Sequence, residues 1–235
     1  MSVKSDLGQR LVQTLAEIAE TARRAGRDPA DVGLVAVSKF HPAASVAEVH
    51  GAGQSAFGES YVQEALGKMA ELAALPLSWH LVGGLQSNKA KHVAGRFALI
   101  HSLDSGKLAR ALSRALTERA GTQDVLIQVN LAGEEQKSGV AEDQAKALAE
   151  EVLGLPGLNL TGLMVLPPYD PDPEISRPYF VRLRQLRDRL ARELGQPLAH
   201  LSMGMSGDFA PAIEEGATLV RVGTRIFGER PEGGG

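Results

Sequence analysis

The chain has 235 residues, 43% of them hydrophobic and 23% charged, with a formal net charge of -3 and no cysteine. The missing cysteines exclude disulfides, thiolate nucleophiles and cysteine-ligated zinc or iron–sulfur centres, and the slightly acidic balance argues against a dedicated nucleic-acid binder, which carries a basic field. The first twenty residues lack the continuous apolar core of a signal peptide, and no apolar run approaches the ~18 residues of a membrane span. A cytoplasmic protein without membrane attachment is expected.

In chain order, residues 5–25 come first, with Leu7, Leu11, Leu15, Ile18 and Ala22 at the spacing of a one-sided amphipathic helix. Short apolar runs then alternate with longer helical stretches. The runs are GLVAVS (33–38), SAFG (55–58), SWHLVG (78–83), ALIHSL (98–103), DVLIQVN (124–130), LNLTGLMVL (158–166), HLSMG (200–204) and TLVRVG (218–223). Helix-like stretches lie near 43–50, 60–74, 86–95, 104–119, 141–153, 173–194 and 207–216. In the sixth of these Phe180, Leu183, Leu186 and Leu190 form the apolar face, and its arginines read as a solvated face. PPYDPDP (167–173) reads as a loop after the sixth run.

Eight strand candidates alternating with helices predict an α/β protein with a parallel sheet. Eight repeats in about 200 residues fit a (β/α)8 TIM barrel with an extra N-terminal helix. A doubly wound sheet is the rival, but no G-x-G-x-x-G or G-x-x-x-x-G-K-[ST] opens a helix. We expect one domain over residues 1–230 and a disordered glycine-rich tail at 231–235.

In such a barrel the chemistry sits at the C-terminal ends of the strands, with phosphate often held by the loops after strands seven and eight. The seventh run is followed by Ser206 and Gly207, the eighth by Gly223 and Thr224. Small residues with N–H and hydroxyl donors at helix starts suit a phosphate. Plain helix capping by Ser206 or Asp208 explains either segment alone, and the coincidence of both sets the phosphate reading level with it. Lys39, at the end of the first run, faces the same mouth. It is either a strand-end charge or an amine that forms a Schiff base. A phosphate cradle beside a lysine suits a phosphorylated aldehyde, and pyridoxal phosphate carries both groups. Arg221 then suits the pyridine nitrogen, and a barrel-interior ion pair is its alternative role. Without further information a sugar-phosphate isomerase or aldolase using Lys39 stays open.

Rival sites are weaker. GMSGD around Ser206 misses the G-x-S-x-G nucleophile elbow. The six histidines show no metal-ligand spacing. Glu59 and Glu64 form either an acid pair or exposed helix-start charge, and His80 and His101, in strands three and four, read singly as core or rim residues.

The motifs AVSK with Pro42, FGESYVQEA, WHLVGGLQSNKAK, IHSLDS, QVNLAGEEQKSG, GLMVLPP, LSMGMSGDF and VRVGTRIFGER together resemble the pyridoxal-phosphate homeostasis protein family, from about residue 8 to 230. These are stand-alone barrels similar to the N-terminal domain of alanine racemase. The resemblance implies pyridoxal 5′-phosphate held as an internal aldimine of Lys39. It assigns the phosphate to Ser206, Gly223 and Thr224, and the pyridine nitrogen to Arg221. Ser60 stands where the family has an asparagine, and His80 and Met164 complete the expected cofactor-binding set. Lys137, Asn88 and Lys89 match family motifs without an assigned role. The resemblance further implies a monomeric carrier or buffer in vitamin B6 and amino-acid balance, with no robust catalysis and with PLP-dependent enzymes as recipients. Weak amino-acid racemisation or decarboxylation is the alternative. No second domain like that of racemases is expected, because few residues follow the eighth run, and none of the three tyrosines can be matched to a racemase's catalytic one.

Overall fold

The computed structural model describes residues 6–134 and 138–229. Lys137 and the expected disordered tail lie outside the described residues.

The strands are β1 (Gly33–Val37), β2 (Ala56–Glu59), β3 (Ser78–Leu81), β4 (Leu99–Leu103), β5 (Gln123–Asn130), β6 (Val140–Ala141), β7 (Leu158–Val165), β8 (His200–Ser202) and β9 (Leu219–Val222). All pair in parallel in the order β4-β3-β2-β1-β9-β8-β7-β5, and a β4–β5 pairing closes the circle. This is the predicted (β/α)8 barrel, and each of its eight strands falls on one of the apolar runs. The two-residue β6 is additional and hangs on the end of β5, with Val129 opposite Val140.

The helices are α1 (Asp6–Arg24), α2 (Ala43–Gly51), α3 (Val62–Glu71), α4 (Ala90–Val93), α5 (Gly106–Thr117), α6 (Ala145–Leu153), α7 (Arg177–Leu194), α8 (Phe209–Glu214) and α9 (Thr224–Phe227). Parallel strands need crossovers on the outside of the barrel, and most of the core lies between those helices and the sheet. Strand alternation sends every second side chain inward. Leu99, Leu126 and Met164 form a small inner cluster separate from that larger core.

The extra helix α1 packs against α2, α8 and α9. Its buried stripe differs from the expected one: Leu15 is 39% exposed, and Thr14 and Thr21 are buried beside Leu11, Ile18 and Ala22. Leu15 sits at the edge of the stripe. The threonines enter the core because each hydroxyl donates to the carbonyl four residues back, at 2.8 Å. Beyond α1, Arg27 donates to the carbonyls of Ile213 and Ala217 at 2.7 and 2.8 Å, and Arg225 pairs with Glu17. The N-terminal segment thus braces the helices that follow the seventh and eighth barrel strands.

Candidate cofactor site

A cavity of about 820 Å³ opens at the C-terminal ends of the strands, within the usual range for small-molecule sites. Its lining includes Lys39 after β1, Ser60 after β2, Ser206 after β8, and Gly223 and Thr224 after β9, together with Arg221 from inside β9. Six residues singled out by spacing and motif therefore share one chamber. His80 and Met164 do not line it. The inward pleat carries both into the barrel, where Met164 is fully buried and His80 hydrogen-bonds His101. Asn88, exposed, and Lys89 lie on a turn of 3-10 helix away from the cavity.

Lys39 is positioned from behind. Ser38 is fully buried, and its hydroxyl donates to Glu59 Oε1 at 2.6 Å. Lys68 Nζ donates to the Ser38 carbonyl (2.7 Å), to Glu59 Oε1 (2.6 Å) and to Glu64 Oε1 (2.8 Å). Glu64 Oε1 also accepts the Phe40 N–H at 2.6 Å. Phe40 has φ of 68°, a left-handed conformation that non-glycine residues rarely adopt. Ser38 and Phe40, the neighbours of Lys39 on either side, are thus tied to one buried network. Glu59, read from the sequence as an acid pair or exposed charge with Glu64, is instead completely buried on the outer face of β2, under α3. Burial raises its carboxyl above the usual range, and hydrogen bonds from Lys68 and Ser38 oppose the rise. Lys68 lies outside every motif named above, although Glu64 and Lys68 stand at the i, i+4 spacing of a helical ion pair.

The loops after β8 and β9 meet. Gly223 N–H donates to Ser206 Oγ at 3.2 Å. Asp208 accepts the Met205 N–H at 2.6 Å and makes no side-chain cap on α8. It therefore closes its own loop and is not the helix cap that spacing allowed. α9 is a single turn, so an anion there meets the first N–H groups of the turn and the Thr224 hydroxyl more than a helix dipole. The loops after β2 and β3 are equally close: a Cβ on Gly83 would fall 2.2 Å from the Ser60 carbonyl oxygen, so only glycine fits there.

Arg221 is 4% exposed. It donates to Ser202 Oγ at 2.5 Å and to the Val165 carbonyl at 2.9 Å. Burial lowers its guanidinium to about 10, with Asp208 opposing, and it stays cationic at neutral pH. Its partners are neutral, so the ion-pair alternative gives way to hydrogen bonding. The cavity also gathers residues the motifs did not flag. His41 stacks on Phe227 with ring centroids 5.2 Å apart. Burial, then Lys68, hold it below the usual imidazole range against Glu64. Tyr169, 87% exposed in the PPYDPDP loop, stands at the rim. Among the described residues no cluster of histidine and carboxylate side chains could hold a metal ion, and no helix is long and apolar enough to cross a membrane.

The donor set fits a phosphorylated pyridine aldehyde. One amine, one hydroxyl-rich pair of loops and one buried cation line the same chamber, matching the aldehyde, the phosphate and the ring nitrogen.

Comparison with known proteins shows similarity over nearly the whole chain. The family described as alanine racemase, N-terminal domain, matches residues 12–231. The chain is 48% identical over 229 residues to the pyridoxal phosphate homeostasis protein of Pseudomonas aeruginosa, covering 97% of this chain and 98% of that one. It is 47% identical over 222 residues to the pyridoxal phosphate homeostasis protein of Aquifex aeolicus, covering 94% and 97%. Among solved structures it is similar to PipY of Synechococcus elongatus with PLP bound, at a TM-score of 0.80 and 41% identity over 90% of this chain and all of that one.

Proposed function

The chain belongs to the pyridoxal phosphate homeostasis protein family, within the alanine racemase N-terminal domain family, and on that premise we propose that it binds pyridoxal 5′-phosphate and holds it for intracellular vitamin B6 and amino-acid balance. The observation that carries this reading is the convergence of Lys39, Ser206, Gly223, Thr224 and Arg221 on one cavity.

When bound, the cofactor supplies an aldehyde that a lysine amine captures reversibly and a ring that withdraws electrons. The shared cavity supports the following roles for the chain's own residues. Lys39 offers the amine. The Ser206 and Thr224 hydroxyls and the N–H groups at the start of α9 hold the phosphate. Arg221 would donate toward the pyridine nitrogen and, remaining charged, would leave that nitrogen unprotonated, which would weaken the ring as an electron sink. Ser60 lines the cavity and would offer the cofactor a shorter polar group than the family asparagine. The carrier reading is supported by the weak sink and by the names of relatives matched over nearly their full length. Under it the protein is a cytoplasmic, single-domain monomer that passes its cofactor to PLP-dependent enzymes.

The test is an absorption titration of purified protein with pyridoxal phosphate, followed by assays of L-amino acids for racemisation and decarboxylation. A near-visible imine band that Lys39→Ala abolishes, with turnover far below the roughly 1 per second of ordinary enzymes, is expected. A colourless protein refutes cofactor binding, and turnover at enzyme rates refutes the carrier role.

A further inference from the structure

Behind Arg221 a chain of hydrogen bonds runs through the barrel. Arg221 Nη1 donates to Ser202 Oγ at 2.5 Å, Ser202 Oγ lies 2.7 Å from His101 Nδ1, and His101 Nε2 lies 2.9 Å from His80 Nδ1. His80 Nε2 reaches the Ser78 hydroxyl at 3.4 Å. Ser202 and His101 are fully buried, and His80 is 8% exposed.

The arginine decides the polarity of this chain. A guanidinium only donates, so Ser202 Oγ is an acceptor at that end. Its own hydrogen then points to His101 Nδ1. That places the His101 proton on Nε2, facing His80 Nδ1, and the His80 proton on Nε2, facing Ser78. With the opposite tautomer, His101 would donate to Ser202, and the Ser202 hydroxyl hydrogen would be buried with no acceptor. Burial keeps both rings neutral, His80 near 4 and His101 well below the ordinary range, which agrees with one proton per ring.

Resting on the cofactor reading above, we propose that His101, supported by His80, is a positioning residue for Arg221: it holds the Ser202 hydroxyl in the orientation that accepts from the guanidinium and so aims Arg221 at the pyridine nitrogen. The Val165 carbonyl fixes only one edge of the guanidinium. Without an ordered acceptor at Ser202 the group is free to pivot. His80 thus acts two residues removed from the cavity it does not line.

The experiment compares wild type, His101→Asn and His101→Gln. An asparagine carbonyl can stand where Nδ1 stands and still accept from Ser202, whereas glutamine reproduces the Nε2 position and leaves Ser202 without its acceptor. Each protein is titrated with pyridoxal 5′-phosphate and with its 1-deaza analogue, which keeps the aldehyde and phosphate but has C–H at the ring nitrogen. For pyridoxal phosphate, Asn should stay within about threefold of wild type and Gln should bind about tenfold more weakly, the scale of one hydrogen bond. For the analogue the three proteins should agree. Gln weakening both compounds alike, or Asn and Gln behaving alike, overturns the proposal and leaves the cofactor reading standing. Wild type that takes up neither compound overturns the cofactor reading and this proposal with it. Should the variants fail to fold, long-range ¹H–¹⁵N spectra of wild type decide: both histidines protonated at Nε2 supports the relay, and His101 protonated at Nδ1 overturns it.

Discussion

Replacing Lys68 by methionine probes the network that shapes the lysine turn. Methionine keeps most of the aliphatic length and removes the ammonium. Three contacts vanish together, those to the Ser38 carbonyl, Glu59 and Glu64. Glu59 is then a fully buried carboxylate held by the Ser38 hydroxyl alone, with Oε2 already lacking a partner. Removing one member of a buried charge pair costs about 3–5 kcal/mol, because the other is left desolvated. For a chain of this size, that lowers the melting temperature by about 10 °C. Glu59→Gln added to Lys68→Met removes the stranded charge, and the double variant should recover about 1–2 kcal/mol relative to Lys68→Met alone. Glu64, no longer held, also releases the Phe40 N–H. A left-handed phenylalanine costs about 1–3 kcal/mol, so the turn relaxes and Lys39 moves with it. Urea unfolding of the single and double variants measures the first effect, and cofactor occupancy of the folded fraction measures the second. A cost below about 1 kcal/mol for Lys68→Met, or a double variant no better than the single, would refute the reasoning.

Three further outcomes follow from the same structure. His80 is held near 4 in the folded state, against 6.5 when unfolded. The unfolded chain therefore binds more protons between those values, and stability should fall by about 3 kcal/mol as the pH drops from 6.5 to 4. His101 adds to the fall and Glu59, raised by burial, opposes it; equilibrium unfolding across that window should show a slope that His80→Gln reduces, and an unchanged slope would count against a buried neutral ring. Gly204 has φ of 90°, and a Cβ there would lie 2.6 Å from the Ala212 Cβ and 2.9 Å from the Phe209 Cα, so Gly204→Ala should cost about 3 kcal/mol or more by denaturant unfolding. Ser206→Ala combined with Thr224→Ala removes two hydroxyls facing a charged phosphate, each worth about 1.5–3 kcal/mol; dialysis should strip pyridoxal phosphate from that variant at least tenfold more readily than from Ser60→Ala, and equal retention would remove the phosphate assignment.

The barrel was legible because each of its strands is a short apolar run broken by small or polar residues, as in GLVAVS before Lys39 and TLVRVG before Thr224. Position at a strand end then placed Lys39, Ser206, Gly223 and Thr224 around one mouth without knowledge of any contact. Strand β6 escaped because two residues carry no period. The Glu59–Lys68 pair escaped for a different reason. Periodicity marks which face of an element turns inward, but whether a charge on that face finds an opposite charge depends on another element. His80 and His101 show the same limit: each alone reads as a core histidine, and only the β3–β4 pairing brings them to 2.9 Å and links them to Ser202 across the barrel.

The most direct test of the central claim is chemical. Borohydride reduction of protein loaded with pyridoxal phosphate, followed by peptide mass spectrometry, fixes the cofactor to whichever amine holds it. A phosphopyridoxyl group on the peptide carrying Lys39, and its loss in Lys39→Ala, is the expected result. Stoichiometric labelling at another lysine with Lys39 unmodified, or no labelling at all, would contradict it.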